Sequence, residues 1–407
     1  MKFFSQSIHH KYLIEALVFS SYVLFAMAWV GGTASMSQIM ASMHINSLAS
    51  ASFISGAVTF AKIVGTFMAA WLGLKLGIKN AFLLAGVLVA VGIITPIAPN
   101  YEWLLLSRFL MGLGGAFMIV YFNPIVMACF SPTERPTING LNAVAFNIGT
   151  GIILWQMGNF NHLTDSWQNT LIIFSLITIM LCILWVFVKL PQMATTTNKS
   201  NNYTSSTLYI KGLSDKFHWQ YALTYSGILA FYICLFTFYP KAGISQSALV
   251  IASGILGTLA GIIYSKQYPL RLPVIRWSGL IIIFGVIGLS FADNTWLQTI
   301  SAVILGFFIF FPITALVSIP HEITNMTEQK ITIVFSLFYS ISYLIATIVL
   351  WGFGKLVDIN QGDYTQAFIL ISVLSATFFI GSFFLPETGK KTSVTPSIKQ
   401  KDNSCAA

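Results

Sequence analysis

Apolar residues fall in twelve stretches, each about the length of a bilayer-crossing helix, with polar residues mostly in the short gaps between them. A spanning helix needs roughly 20 such residues. The pattern predicts spans at 12–35, 48–72, 78–96, 102–129, 136–158, 168–189, 218–239, 245–264, 274–291, 295–319, 330–353 and 365–386. Runs such as Leu171 to Val188 do not alternate with period two, so they read as helices and not as strands of a barrel. Six spans precede and six follow one long polar segment, Gln192 to Lys216. The expected architecture is an all-α integral membrane protein: an N-terminal six-helix bundle (1–190), a cytoplasmic linker (191–217), a C-terminal six-helix bundle (218–388) and a polar tail (389–407).

Composition agrees with this pattern. The chain is 56% hydrophobic and 8% charged, where a soluble domain carries about 25% charged residues. The net charge of +9 is informative through its placement. With the N-terminus in the cytoplasm, the inner loops and tails hold Lys11, Lys75, Lys79, Arg135, Lys189, Lys266, Arg271 and Arg276 among others, and the outer loops hold only Lys241 and Lys355. The positive-inside rule then puts both termini in the cytoplasm. It also accounts for the basic charge without a nucleic-acid partner. Compact loops suit a bacterial inner (plasma) membrane. Cys129, Cys182, Cys234 and Cys405 are not placed for an external disulfide. The glycosylation tripeptides at Asn198, Asn202 and Asn325 face the cytoplasm in this topology and are expected to be unused.

A weak internal repeat links the halves. Thr133-Glu134-Arg135 opens the fifth span and Thr327-Glu328-Gln329 the eleventh, and Gly158 corresponds to Gly352. Parallel repeats of this kind build many secondary transporters.

With this layout the chain resembles the major facilitator superfamily over residues 10–388. The loop Gly73-Leu74-Lys75-Leu76-Gly77-Ile78-Lys79-Asn80 is similar to the family's signature between the second and third helices, without its Asp-Arg pair. Arg108 to Gly115 resembles the family's Arg-x-x-x-Gly motif in the fourth helix. The resemblance implies that Arg108 braces the first helix through its backbone carbonyls, and that Gly73, Gly77, Gly112 and Gly115 serve structure and gating. The fifth span reads Asn147-Ile148-Gly149-Thr150-Gly151 and lacks the proline of the family's antiporter motif, which leans the reading toward uptake by a symporter.

Charges inside a bilayer are costly and need a partner or a watery cavity. The spans hold three obvious ones: Glu15, Lys62 and Arg108. Lys62 lies 11 residues before Gly73, about 16 Å at 1.5 Å per residue, hence near the midplane. It can attract an anion into a central cavity, or it can snorkel or pair with a carboxylate. Its place is similar to that of the second-helix arginine in cyanate/nitrate-type porters, whose eighth-helix arginine has no counterpart here. Glu15 is the one clear intramembrane carboxylate and so the candidate for proton coupling; the plainer reading pairs it with Lys11, four residues earlier, or with a basic residue of an inner loop. Trp29, Tyr121, Asn123, Asn142, Asn147, Tyr225, Tyr232, Tyr339 and Tyr343 occupy cavity-facing candidate positions, against a background of 14% aromatic residues. Pro124, Pro312 and Pro320 can bend their helices.

These observations predict a monomeric secondary active transporter of a small organic solute. Lys62 favours an anion and Glu15 favours proton coupling. A drug or metabolite exporter of the same fold stays open, as does a receptor or scaffold that transports nothing. No nucleotide, metal or other cofactor signature appears; His321-Glu322 alone does not make a metal site. No paired catalytic groups share one depth, so the chain does not read as an enzyme.

Overall fold

The computed structural model describes residues 8–131, 134–190, 212–324 and 328–389. Most of the expected linker and almost all of the tail lie outside the described residues, as do Thr133, Thr327 and the tripeptides at Asn198, Asn202 and Asn325. Among the described residues the regular structure is helical, with no strand. Eleven helical segments are long and apolar enough to cross a membrane, and a shorter apolar helical stretch, Thr365–Gly381, follows them. Large apolar side chains such as Trp155, Leu163, Phe187, Trp296 and Phe284 stand on the outside. That is the arrangement expected where lipid, not water, is the surrounding solvent.

Local chemistry sets several helix starts. Ser47, Asn100, Ser166, Asp215 and Asn294 each accept a bond from a backbone N–H two or three residues on, satisfying donors that a helix N-terminus leaves open. The first span is Ile8–Ala34 and a short helix, Met36–Ser42, follows it. The second and third spans form one helical stretch, Leu48–Ala90, interrupted only at Gly77, with φ 74° and ψ 153°. The expected loop after the second span is therefore a one-residue turn. Lys79 Nζ donates to the Val186 carbonyl at 2.8 Å and Trp185 Nε1 to the Lys79 carbonyl at 3.0 Å, tying this turn to the end of the sixth span. No neighbour lies within 4 Å of a Cβ built on Gly77. Gly77→Ala is expected to cost about 1–3 kcal/mol through backbone strain alone, read as a lowered unfolding midpoint.

Later spans depart from expectation in definite ways. The tenth is two helices, Thr295–Phe310 and Ile313–Glu322, parted at Phe311-Pro312, where proline removes a backbone donor. The eleventh runs Glu328–Ile359, six residues past its expected end, so Lys355 is on a helix and not in a loop. The twelfth is Thr365–Ser375 followed by Thr377–Gly381, short of the expected 386.

The fourth span, Tyr101–Cys129, is the hub of the first six. A Cβ on Gly112 would meet Val58 and Ala61 of the second span at 2.8–2.9 Å. On Gly114 it would meet Ala85 and Val89 of the third at 2.5–2.8 Å, and on Gly115 the Phe25 ring of the first. These glycines let three helices close on a fourth. Between the two sets of six, the second span packs on the eleventh and the fifth on the eighth.

Candidate functional site

His10 Nε2 lies 3.2 Å from the Lys189 carbonyl, so the start of the first span and the end of the sixth share one face, called here the linker face. From the opposite, far face a seam of bonds runs inward between the second and eleventh spans. Asp358 accepts from Ser47 Oγ (2.7 Å) and from the backbone N–H groups of Leu48 (2.7 Å) and Ala49 (2.8 Å). Thr59 and Thr347 hydroxyls meet at 2.7 Å. Lys62 Nζ donates to the Tyr343 hydroxyl at 3.2 Å. Thr66 and Ser340 hydroxyls meet at 3.1 Å. The two helices are antiparallel and matched almost residue for residue.

Asp358 is a functional candidate that sequence reasoning missed. Its carboxylate caps the N-terminus of a helix from the other half, where the helix dipole favours negative charge. Asp358→Asn is expected to loosen this end. Labelling of a buried Ala49→Cys reporter by an impermeant maleimide from the far face should rise several-fold, and unchanged labelling would mean that the carboxylate does not hold this face shut.

Lys62 is 3% exposed and sits one helical turn from the innermost pair of the seam, Thr66 with Ser340. Four rings surround its ammonium: Trp29 at 4.8 Å, Tyr343 at 5.1 Å, Phe25 at 5.2 Å and Phe146 at 5.3 Å, measured to ring centroids. Ring faces attract a cation, by up to about 2 kcal/mol when water is excluded. Among the described residues no carboxylate forms an ion pair with it. Of the expected site residues, Lys62, Trp29 and Tyr343 meet here. Trp29 is oriented by a 2.9 Å bond from Nε1 to Ser55 Oγ. Tyr232 donates to Asn147 Oδ1 at 2.7 Å across the halves, and its ring packs near Phe146. Tyr339 lies beside Tyr343, and Tyr225 stacks on Phe338, which touches Tyr339. Phe25 and Phe146 were not anticipated, since nothing in a chain with 34 phenylalanines singles them out.

Three expected residues are not brought to this centre: Tyr121, Asn123 and Asn142, the last lying beside Glu15. Tyr121 is buried, donates to the Ala69 carbonyl at 2.8 Å and packs on Gly73, so it fastens the fourth span to the second. Asn123 lies on an exposed stripe of the fourth span with Ile119 and Met127.

Arg108 is buried behind the ring cluster. Nη1 donates to the Ala28 carbonyl (2.9 Å), Nη2 to the Trp29 carbonyl (2.7 Å) and Nε to the Ile54 carbonyl (2.9 Å). It thus holds the first and second spans together from the fourth, using donors that a planar guanidinium presents in fixed directions.

Glu15 has a different setting from the expected local pair. Lys11 instead donates to Glu134 at 2.6 Å. That bond, helped by bonds from Ser131, draws the Glu134 carboxyl down to about 2, so the pair stays charged at neutral pH. Glu15 is buried beside the Asn142 side-chain amide, and among the described residues neither side chain makes a hydrogen bond of ordinary geometry. On the other half, Glu322 is engaged by Arg271 at 2.6 Å, and His321 packs on Phe335.

Comparison with known proteins adds a family to this geometry. The profile of the Major Facilitator Superfamily matches residues 18–349. A protein of Campylobacter jejuni subsp. jejuni serotype O:2, described as uncharacterized protein Cj0987c, is 27% identical over 311 residues, covering 72% of this chain and 95% of its own. A bacterial homologue of the human lysosomal transporter Spinster, in an inward-facing and unoccupied conformation, superposes with a TM-score of 0.70 at 16% identity, over 93% of this chain and 98% of its own. A D-xylose-proton symporter superposes with a TM-score of 0.72 at 13% identity, over 94% and 99%. At these identities the two structures establish a shared fold.

Proposed function

Because this chain belongs to the Major Facilitator Superfamily, we propose that it is a secondary active transporter that carries a small organic anion by alternating access, with Lys62 at the centre of its site. The two six-helix units, 1–190 and 218–388, would rock about the seam between them, joined by 191–217. Both termini and the linker would face the cytoplasm, by the distribution of Lys and Arg. The observation that carries the reading is the position of Lys62. A buried cation with no carboxylate paired to it among the described residues, placed where the halves meet, is costly to keep unless an anion uses it.

Proton coupling is the second part of the proposal, with Glu15 as carrier. Its carboxyl is buried beside Asn142, where gaining a proton removes the cost of a lone buried charge. The proton-symporting structure of the same fold supports this by analogy of fold. Glu15→Gln is expected to keep exchange of labelled cargo and to lose accumulation driven by an imposed proton gradient. Equal loss of both activities, or of neither, would remove Glu15 from coupling.

The test of the main reading is counterflow in proteoliposomes holding the purified protein. Liposomes preloaded with each of a panel of anionic, neutral and cationic metabolites are given the same solute in labelled form. Transient accumulation of an anion, absent from protein-free liposomes, supports the proposal. Accumulation of neutral or cationic solutes alone ends the anion reading, and no accumulation of any solute favours a receptor or scaffold.

A further inference from the structure

Three features around Lys62 restrict the cargo further. The first is charge. Lys62 is the one cation facing the ring cluster among the described residues, because the donors of Arg108 are spent on the backbone carbonyls of Ala28, Trp29 and Ile54. A second negative charge on the cargo would have nothing to pair with in a water-poor interior.

The second is the wall. Beyond Phe25, Trp29, Phe146 and Tyr343, the ring cluster continues with Phe236 edge-on to Trp29 at 5.5 Å and Phe310 edge-on to Tyr232 at 5.4 Å. Four pairs of nearby hydroxyl, amide and indole groups already bond one another: Trp29 with Ser55, Tyr232 with Asn147, Thr59 with Thr347, Thr66 with Ser340; the buried Thr150 hydroxyl has no such partner among the described residues. A polyhydroxylated cargo would have to break those pairs, whereas an apolar or aromatic body packs on ring faces without doing so.

The third is the Tyr343 hydroxyl. It is a neutral acceptor contributed by the opposite half, so separation of the second and eleventh spans removes it from Lys62. A carboxylate oxygen offers the same ammonium a stronger, charge-assisted bond in the same place.

We infer that the cargo is a monoanion, a carboxylate borne on an apolar or aromatic body, and that its carboxylate takes the place of the Tyr343 hydroxyl on Lys62. The inference rests on the reading of Lys62 as the cargo-binding group. The phenol thus acts as a stand-in ligand that occupies the lysine when the site is empty.

The test is binding to the full-length purified protein, read as thermal stabilisation and confirmed by isothermal titration. The probes are benzoate and phenylacetate, terephthalate as a dianion on the same ring, benzamide as the neutral counterpart, and acetate as the charge without the body. Benzoate and phenylacetate are expected to bind at least about tenfold more tightly than the other three, and Lys62→Met is expected to abolish that binding. Tyr343→Phe keeps the ring and removes the competitor, so it should tighten benzoate several-fold. Terephthalate or acetate binding as well as benzoate, with the dependence on Lys62 retained, overturns the inference and leaves the anion reading standing. Weaker benzoate binding in Tyr343→Phe overturns the stand-in role, because the phenol would then be a ligand of the cargo. If no anion binds in a manner that needs Lys62, the anion reading falls and this inference with it.

Discussion

Lys62→Met is expected to abolish cargo binding while leaving the folded protein as stable as before, or more so. On the proposed reading the two effects have opposite signs, because the lysine would serve the cargo and not the fold. Removing the partner of a desolvated charge costs roughly 2–5 kcal/mol of binding, a loss of about 30- to several-thousand-fold. Methionine nearly matches the length of the lysine stem and makes favourable contacts with rings. It would fill the space between Trp29, Phe25, Phe146 and Tyr343 without an ammonium to desolvate. Thermal unfolding and ligand titration on the same preparation check both halves of the expectation. A variant that binds as before places the cargo elsewhere; one that unfolds well below the parent makes the lysine a strut between the spans.

The second large effect is expected at Arg108, with the emphasis reversed. Arg108→Ala removes three charge-assisted bonds to carbonyls on two helices and leaves a void in the middle of the first bundle. Each such bond contributes about 1.5–3 kcal/mol. Part of that is offset by no longer burying a charge, so the net loss is estimated at about 3–5 kcal/mol. Arg108→Lys should restore little of it, because one ammonium on a flexible stem cannot meet the Ala28, Trp29 and Ile54 carbonyls from one position. The Trp29 carbonyl accepts from Arg108 while the Trp29 ring faces Lys62. Residual folded Arg108→Lys protein should therefore also bind cargo less tightly. A fall in stability under about 1 kcal/mol in Arg108→Ala would mean that the backbone contacts brace nothing.

The number and placement of the spans were legible because a bilayer imposes a length and an apolar composition that local sequence reports directly. The rotation of each helix about its axis was not. The fourth span is apolar on all sides, so hydropathy does not say which residues face the centre. Tyr121 and Asn123 turn away from it for that reason, and Phe25 and Phe146 turn in with no local sign. Lys62 stood out because a charge amid apolar residues is rare. Asp358 did not, because it follows Lys355 in what looked like a loop. The helix end that satisfies Asp358 begins some 310 residues earlier in the chain. For Glu15 the plainer reading, a partner one helical turn away, does not hold. Its neighbour Lys11 is taken by Glu134, from the start of the fifth span.

The matched seam between the second and eleventh spans limits how the halves can part. A slide of one helical turn along it would set Lys62 level with Ser340 or Thr347 and carry Asp358 off the helix end it caps. A tilt instead releases pairs in sequence, starting at one end and sparing the other. The seam works like the teeth of a zip: it resists shear along its length and yields to peeling, so on the proposed reading a peel from the far face releases Asp358 and then Thr59 before it reaches Lys62.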